Sequence, residues 1–212
     1  MDLVNILKLS ALLTFAYMLG SVPWGFVLTK LFTPFDIRQM GSGNIGATNV
    51  RRIAGNRLGM ITLAGDVFKG ALPVYLAIKL TGVNGFWAEI YVSLIAISVL
   101  LGHLYPVFLK FKGGGKGVAT AAGCFIIISP IACLFALLTF IMFICLCNRV
   151  SVGSLVAALI LPVAVWKVTN SIVLAICAVF ISILIYLRHI ENIKRLFSGT
   201  EPVIWKYRSP DK

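Results

Sequence analysis

Charge is scarce in this chain, and acid is scarcer than base. Only 12% of its 212 residues are charged, with 19 Lys and Arg against 7 Asp and Glu. A soluble domain carries roughly 25%. No polar stretch is long enough to form a second, soluble unit, so one membrane-embedded domain over residues 1–212 is expected. Histidine is nearly absent, with two residues. The few Asp, Glu, His and Cys side chains show no metal-ligand spacing, so neither metal nor cofactor is expected. The five cysteines, Cys124, Cys133, Cys145, Cys147 and Cys177, contain no CxxC pair. All fall in apolar runs and read as reduced, buried, small apolar residues. Heptads, low-complexity tracts and internal repeats are missing as well.

What the chain has is hydrocarbon. The mean hydropathy is +0.98, and 59% of residues are hydrophobic. Apolar stretches near 20 residues recur along its length, the signature of transmembrane helices. The expected fold is an all-α integral membrane protein of about seven spans. The first apolar stretch, about 3–31, is too long for a signal-peptide core and reads as a retained helix. Pro23 should kink or break it. The other spans are expected at about 58–80, 86–109, 118–128, 131–147, 152–166 and 172–187. The fourth span is short and starts in a glycine loop. Polar breaks fall at 81–85, 129–130, 148–151 and 167–171.

The cations orient these spans. Lys79 and Lys167 would lie in outer loops, and Lys8 and Lys69 within spans. The remaining 15 of the 19 Lys and Arg fall on the other side. This strong positive-inside bias places the N-terminus outside and the C-terminus in the cytosol. Anionic headgroups suit the net charge of +12. Nucleic acid does not, because the cations flank spans and no soluble module carries them.

Two polar runs stand out against this background. The first is Gly41-Ser42-Gly43-Asn44-Ile45-Gly46-Ala47-Thr48-Asn49-Val50-Arg51-Arg52. The second is Lys110-Phe111-Lys112-Gly113-Gly114-Gly115-Lys116-Gly117. Exposed polar backbone is costly near hydrocarbon. Clustered N–H donors beside fixed positive charge are what a phosphate needs. Both runs fall on the cytosolic side, as do His103, His189 and the basic tail. The first run matches GxGxxG, but a span precedes it where a dinucleotide fold needs a strand. The second resembles the end of a P-loop, but Lys110 and Gly117 stand where that motif needs glycine and Ser or Thr.

Two further groups are polar. Asp66 and Lys69 lie inside one span at i, i+3 and share a helix face. They form either a mutual ion pair or a polar wall of the cytosolic cavity. Past the last span, His189 and Asn192 also share a face. No Ser–His–Asp order with convincing context is present.

Residues 41–52, Gly102-His103-Leu104-Tyr105-Pro106-Val107-Phe108 running into 112–120, and 189–196 with 199–201 resemble the three cytosolic motifs of a known family. This is the bacterial acyl-phosphate–glycerol-3-phosphate acyltransferases, the PlsY family. The resemblance extends to residues 20–25, 66–70 and 148–154 and covers essentially the whole chain. One departure is Gly113-Gly114-Gly115, where the family has two glycines between the loop cations. An extra residue could shift Lys116 by about 3.3–3.6 Å.

The resemblance implies acyl transfer from a fatty acyl phosphate to the 1-hydroxyl of glycerol 3-phosphate in phospholipid synthesis, at the bacterial inner membrane. It implies direct attack by the acceptor hydroxyl, with no acyl-enzyme. Ser42, Arg52 and Lys116 would orient phosphates, and His189 and Asn192 would position the acceptor or stabilise the oxyanion. Gly41, Gly43, Asn44, Thr48, Asn49, Lys112, Gly113, Gly114, Gly115 and Gly117 would line the cradle, with Ser151 and Glu201 beside it. The base is left open between a substrate phosphate oxygen and His189. A monomer is expected. Two other readings stay open. A transporter of a small organic phosphate would use similar broken helices, but needs a polar path to the outer face. A lipid-binding structural protein would not need Asn44, Thr48, Asn49, His189 and Asn192 together.

Overall fold

A computed structural model of the chain describes residues 3–81 and 85–205. The centre of the expected break at 81–85, and the tail cations Lys206, Arg208 and Lys212, lie outside the described residues. The regular structure of the described residues is helical, with no strand among them. The helices are α1 (Leu3–Gly20), α2 (Trp24–Phe32), α3 (Ala47–Ala54), α4 (Asn56–Thr81), α5 (Phe86–Leu104), α6 (Val118–Ile128), α7 (Pro130–Cys147), α8 (Val150–Thr169), α9 (Ile172–Arg188) and α10 (Ile190–Phe197).

Pro23 divides α1 from α2 as its missing N–H requires, and the two axes bend by 42°. The third apolar run does not stay helical to residue 109. It ends at Leu104, because Pro106 disfavours helix at Tyr105 and offers no N–H of its own. A short 3₁₀ turn, Val107–Leu109, follows.

Among the described residues, four helices are long and apolar enough to cross a membrane, or up to six crossings if each bent pair counts as one span. α6 is the exception among the expected spans. Its 11 residues rise about 16 Å, against a hydrocarbon core of about 30 Å. It starts directly from the second glycine loop and packs along α4. There the backbones touch. A Cβ at Gly70 would lie 2.1 Å from the Thr120 carbonyl oxygen, and one at Gly123 would lie 2.1 Å from that of Val67. Such close approach through small residues is how helices associate where lipid removes the hydrophobic drive.

The main apolar core lies between α1, α4, α5, α6, α7, α8 and α9 and includes Ile95, Val99, Leu100, Phe125, Val165 and Ile181. A smaller cluster of Ile37, Ile45 and Val50 seats the first glycine run. Cys124, Cys133 and Cys177 are buried thiols, as expected. Cys145 is exposed and Cys147 half-buried. They sit on α7, most of whose surface meets no other helix and is left for lipid.

Candidate active site

The loops between 33 and 46, 105 and 117, 148 and 149, and the segment after Arg188 meet on one face of the bundle. Hydrogen bonds across that face join them.

The first loop is built by two asparagines. Asn49, buried at the start of α3, accepts the Ser42 N–H at Oδ1 (3.0 Å). Its Nδ2 donates to the carbonyls of Met40 (3.0 Å) and Asn44 (2.9 Å). Asn44 accepts the Gly46 N–H (2.9 Å) and donates across to the Gly114 carbonyl (3.3 Å). The amide of Asn49 is therefore occupied inside the loop, and that of Asn44 ties the two loops together. Gly41 and Gly43 turn the chain with φ of 60° and 68°. Ser42, Thr48 and Arg52 point outward and are exposed. Their side chains make no hydrogen bond or ion pair among the described residues.

The second loop is held from below and from the side. The Gly115 N–H donates to the His103 carbonyl (3.2 Å). A Cβ at Gly115 would lie 2.0 Å from His103 Nε2, so only glycine fits over the ring. Arg188 donates from Nε to the Gly115 carbonyl (3.1 Å) and from Nη2 to that of Gly114 (2.8 Å). Gly114 and Gly115 are thus buried and clamped, whereas Gly113 and Lys112 are exposed. With three glycines in the run, Lys116 reaches α10.

Lys116 Nζ donates a short hydrogen bond to Asn192 Oδ1. Asn192 Nδ2 donates to Glu201 Oε1 (2.6 Å), and Arg195 Nε donates to Glu201 Oε2 (2.8 Å). Arg149 Nε donates to the Glu201 backbone carbonyl (3.3 Å). Burial raises the Glu201 pKa, but hydrogen bonds from Asn192 and Arg195 and the nearby Ser151 hydroxyl outweigh it, so the carboxyl lies below its ordinary range. Ser151, itself buried, faces that carboxylate without a hydrogen bond of good geometry. Burial pushes Lys116 down to about 8; Glu201 opposes this, and Arg195, Arg188 and Arg52 add to it.

His189 lies past the end of α9, where α10 turns off by 59°. Its Nδ1 is 2.8 Å from the Ile185 carbonyl. A carbonyl only accepts, so Nδ1 carries the hydrogen and Nε2 keeps a free lone pair. Burial pushes its pKa down to about 4; the Ile185 bond and Glu201 oppose this, while Lys116 and Arg188 reinforce it. The imidazole is neutral near pH 7. The assembled face holds Arg52, Lys116, Arg188, Arg195 and Arg149 around one buried carboxylate, a surplus that calls for an anion.

The structure brings Asn44, Asn49, the glycines, Lys116, His189, Asn192, Ser151 and Glu201 into this network. Ser42, Thr48, Arg52 and Lys112 sit at its rim. Sequence reasoning missed three organising residues. Arg188 and Arg195 read as membrane-flanking cations; the Arg188 partners, Gly114 and Gly115, are distant in sequence, and the Arg195 partner, Glu201, lies past the end of α10. Asn148 grips the returning tail: its Oδ1 accepts the N–H groups of Ile204 (3.1 Å) and Trp205 (2.8 Å). An Asn just past an apolar run is a common left-handed helix end, φ 54° here, and the polar break at 148–151 was the local signal.

Comparison with known proteins fits this geometry. A family model described as glycerol-3-phosphate acyltransferase matches residues 10–199. The glycerol-3-phosphate acyltransferase of Syntrophotalea carbinolica is 47% identical over 186 residues, 88% of this chain and 92% of that protein. That of Geotalea daltonii is 47% identical over 188 residues, covering 89% and 93%. A crystal structure of PlsY (YgiH), an integral membrane glycerol 3-phosphate acyltransferase in its glycerol 3-phosphate form, superposes with a TM-score of 0.88. It is 36% identical and covers 93% of this chain and 96% of its own.

Proposed function

The chain belongs to the glycerol-3-phosphate acyltransferase family, and from that premise we propose how its residues carry out the reaction. It is an integral membrane enzyme that acylates glycerol 3-phosphate in phospholipid synthesis. The donor is a fatty acyl phosphate. The 1-hydroxyl oxygen of glycerol 3-phosphate bonds to the acyl carbonyl carbon, and the bond from that carbon to the phosphate oxygen breaks. The products are 1-acylglycerol 3-phosphate and phosphate.

Both substrates carry phosphate, and the observation that carries this reading is the convergence of Lys116 and Arg52 on two glycine loops. Lys116, with a surplus of arginine charge behind it, meets a phosphate in a partly buried setting where a charge-assisted contact is strong. Ser42 and Arg52 meet phosphate from the rim. His189 accepts the acceptor hydroxyl's hydrogen bond at Nε2, and Asn192 fixes Lys116. An imidazole with a pKa near 4 is a weak base, whereas a phosphate monoester has its second pKa near 6. The hydroxyl proton therefore passes to a substrate phosphate oxygen, while His189 aligns the hydroxyl. Incubating the purified protein with acyl phosphate and glycerol 3-phosphate tests the assignment; no 1-acylglycerol 3-phosphate would overturn it.

The same reading gives a pH dependence. Lys116 is charged below about 8 and neutral above it. The kcat/KM profile should fall as pH rises through that value. Lys116→Arg should abolish that fall, because guanidinium stays charged. An unchanged alkaline fall in Lys116→Arg would show that another group titrates. Turnover should also persist in a chelator, since Arg and Lys supply the countercharge. Loss of activity restored by Mg²⁺ or Zn²⁺ would overturn that point.

We assign seven crossings, with the N-terminus outside and the loop face in the cytosol of a bacterial inner membrane. The four loop segments meet on one face, so successive loops are separated by an even number of crossings. α6 then counts with α7, short as it is, by starting low in a re-entrant glycine loop. The cation bias supports the cytosolic side. One domain acts as a monomer, since the loops of a single chain complete the cationic face.

A further inference from the structure

Under the second loop lies a buried ionic cluster that acyl transfer does not use. Lys69 Nζ is 2.9 Å from Asp66 Oδ1 and donates to the Val22 carbonyl at 2.9 Å. That carbonyl sits at the break between α1 and α2. His103 Nδ1, from α5, lies 3.6 Å from the same Asp66 oxygen and has no hydrogen-bond partner. The three side chains are at most 5% exposed. Buried ion pairs give little net stability compared with apolar packing, so stability is a weak account of this one.

Its geometry suggests another account. The far edge of the His103 ring is the floor on which Gly115 rests, with no room for a Cβ. The His103 carbonyl accepts the Gly115 N–H (3.2 Å). The next residue is Lys116. We infer that Asp66, Lys69 and His103 are positioning residues that link the α1–α2 break to the second glycine loop and fix Lys116 against a substrate phosphate. Asp66 is held by Lys69 and in turn sets the tilt of the imidazole; the imidazole sets the height of Gly115. The inference rests on the reading of Lys116 as a phosphate contact.

The test uses the full-length enzyme with Asp66→Asn, His103→Gln, Gly115→Ala and Lys116→Ala. KM for each substrate, kcat, the alkaline limb of kcat/KM and the thermal midpoint are measured. Asp66→Asn and His103→Gln should raise KM for a phosphate substrate about tenfold, the scale of one misplaced charge-assisted contact. They should also move the alkaline limb, because Lys116 changes surroundings. Gly115→Ala, which leaves the ionic cluster intact and displaces the loop from above, should do the same. A lower thermal midpoint with both KM values and the limb unchanged would make the cluster a packing device and overturn the inference. Should the buried variants fail to fold, Gly115→Ala decides: unchanged KM values there overturn it. If Lys116→Ala itself leaves both KM values at the wild-type level, the reading of Lys116 fails and the inference falls with it. If Lys116→Ala is impaired and the other three are not, only the inference fails.

Discussion

Lys116→Ala is expected to lower kcat/KM about 10–100-fold while the protein stays folded. The side chain joins two segments far apart in sequence, the second loop and α10, through Asn192. It is a partly buried cation of the site, and its pKa is already depressed by burial. A charge-assisted hydrogen bond to phosphate is worth roughly 1.5–3 kcal/mol, which corresponds to that range. Arg52→Ala should have an effect of similar size from the rim. Arg52 makes no ion pair in the protein among the described residues, so its charge is available to substrate. Arg51→Ala should matter much less. Neighbouring helical residues point about 100° apart, and the Arg51 backbone is packed against Gly59 of α4. Steady-state kinetics with both substrates varied would check the series. An essential Arg51 beside a dispensable Arg52 would mean that α3 presents its other face.

Exchanging the donor should have a larger effect still. Acyl phosphate should give robust product, and acyl thioesters of coenzyme A or a carrier protein should give none. A thioester donor needs either a nucleotide-binding feature or a docking surface for the carrier. The chain has no nucleotide motif in the right context, and its loop face consists of short segments between helices. The surplus of cations around Glu201 matches a leaving phosphate instead. An acyl phosphate is already activated, so no Ser or Cys nucleophile is required. Radiolabelled glycerol 3-phosphate incubated with each donor in turn decides the matter. Product from acyl-coenzyme A, or a trapped acyl-enzyme, would move the protein to a different class of acyltransferase.

The positions of the apolar helices were legible because the apolar runs are long and the breaks carry Pro, Gly and Asn; α3 and α10, which lie outside those runs, were not. Pro23 divided the first run where its missing N–H predicts. The end of α5 was misjudged, because residues 105–109 are apolar and only the backbone restriction of Pro106 marks the stop. Of the thiols expected to be buried, Cys145 proved exposed and Cys147 half-buried, since hydropathy does not tell a lipid-facing position from a buried one.

The site divides in the same way. The sequence alone determined the membrane class, the concentration of cations at one end of the spans and the two glycine loops. These follow from composition and from local spacing, which need no fold. That Asp66 and Lys69 share a helix face was equally local. Only the tertiary structure decided which partners those residues have. Arg188 clamps the carbonyls of Gly114 and Gly115 across more than 70 residues of chain, Asn148 holds the tail near Trp205, and Lys116 meets Asn192 and, through it, Glu201. Such pairings depend on how short loops from separate helices stack on one face. The physical reason is that a hydrogen bond senses distances of about 3 Å, and in a helical bundle no local pattern of residues encodes which loop lies that close to which.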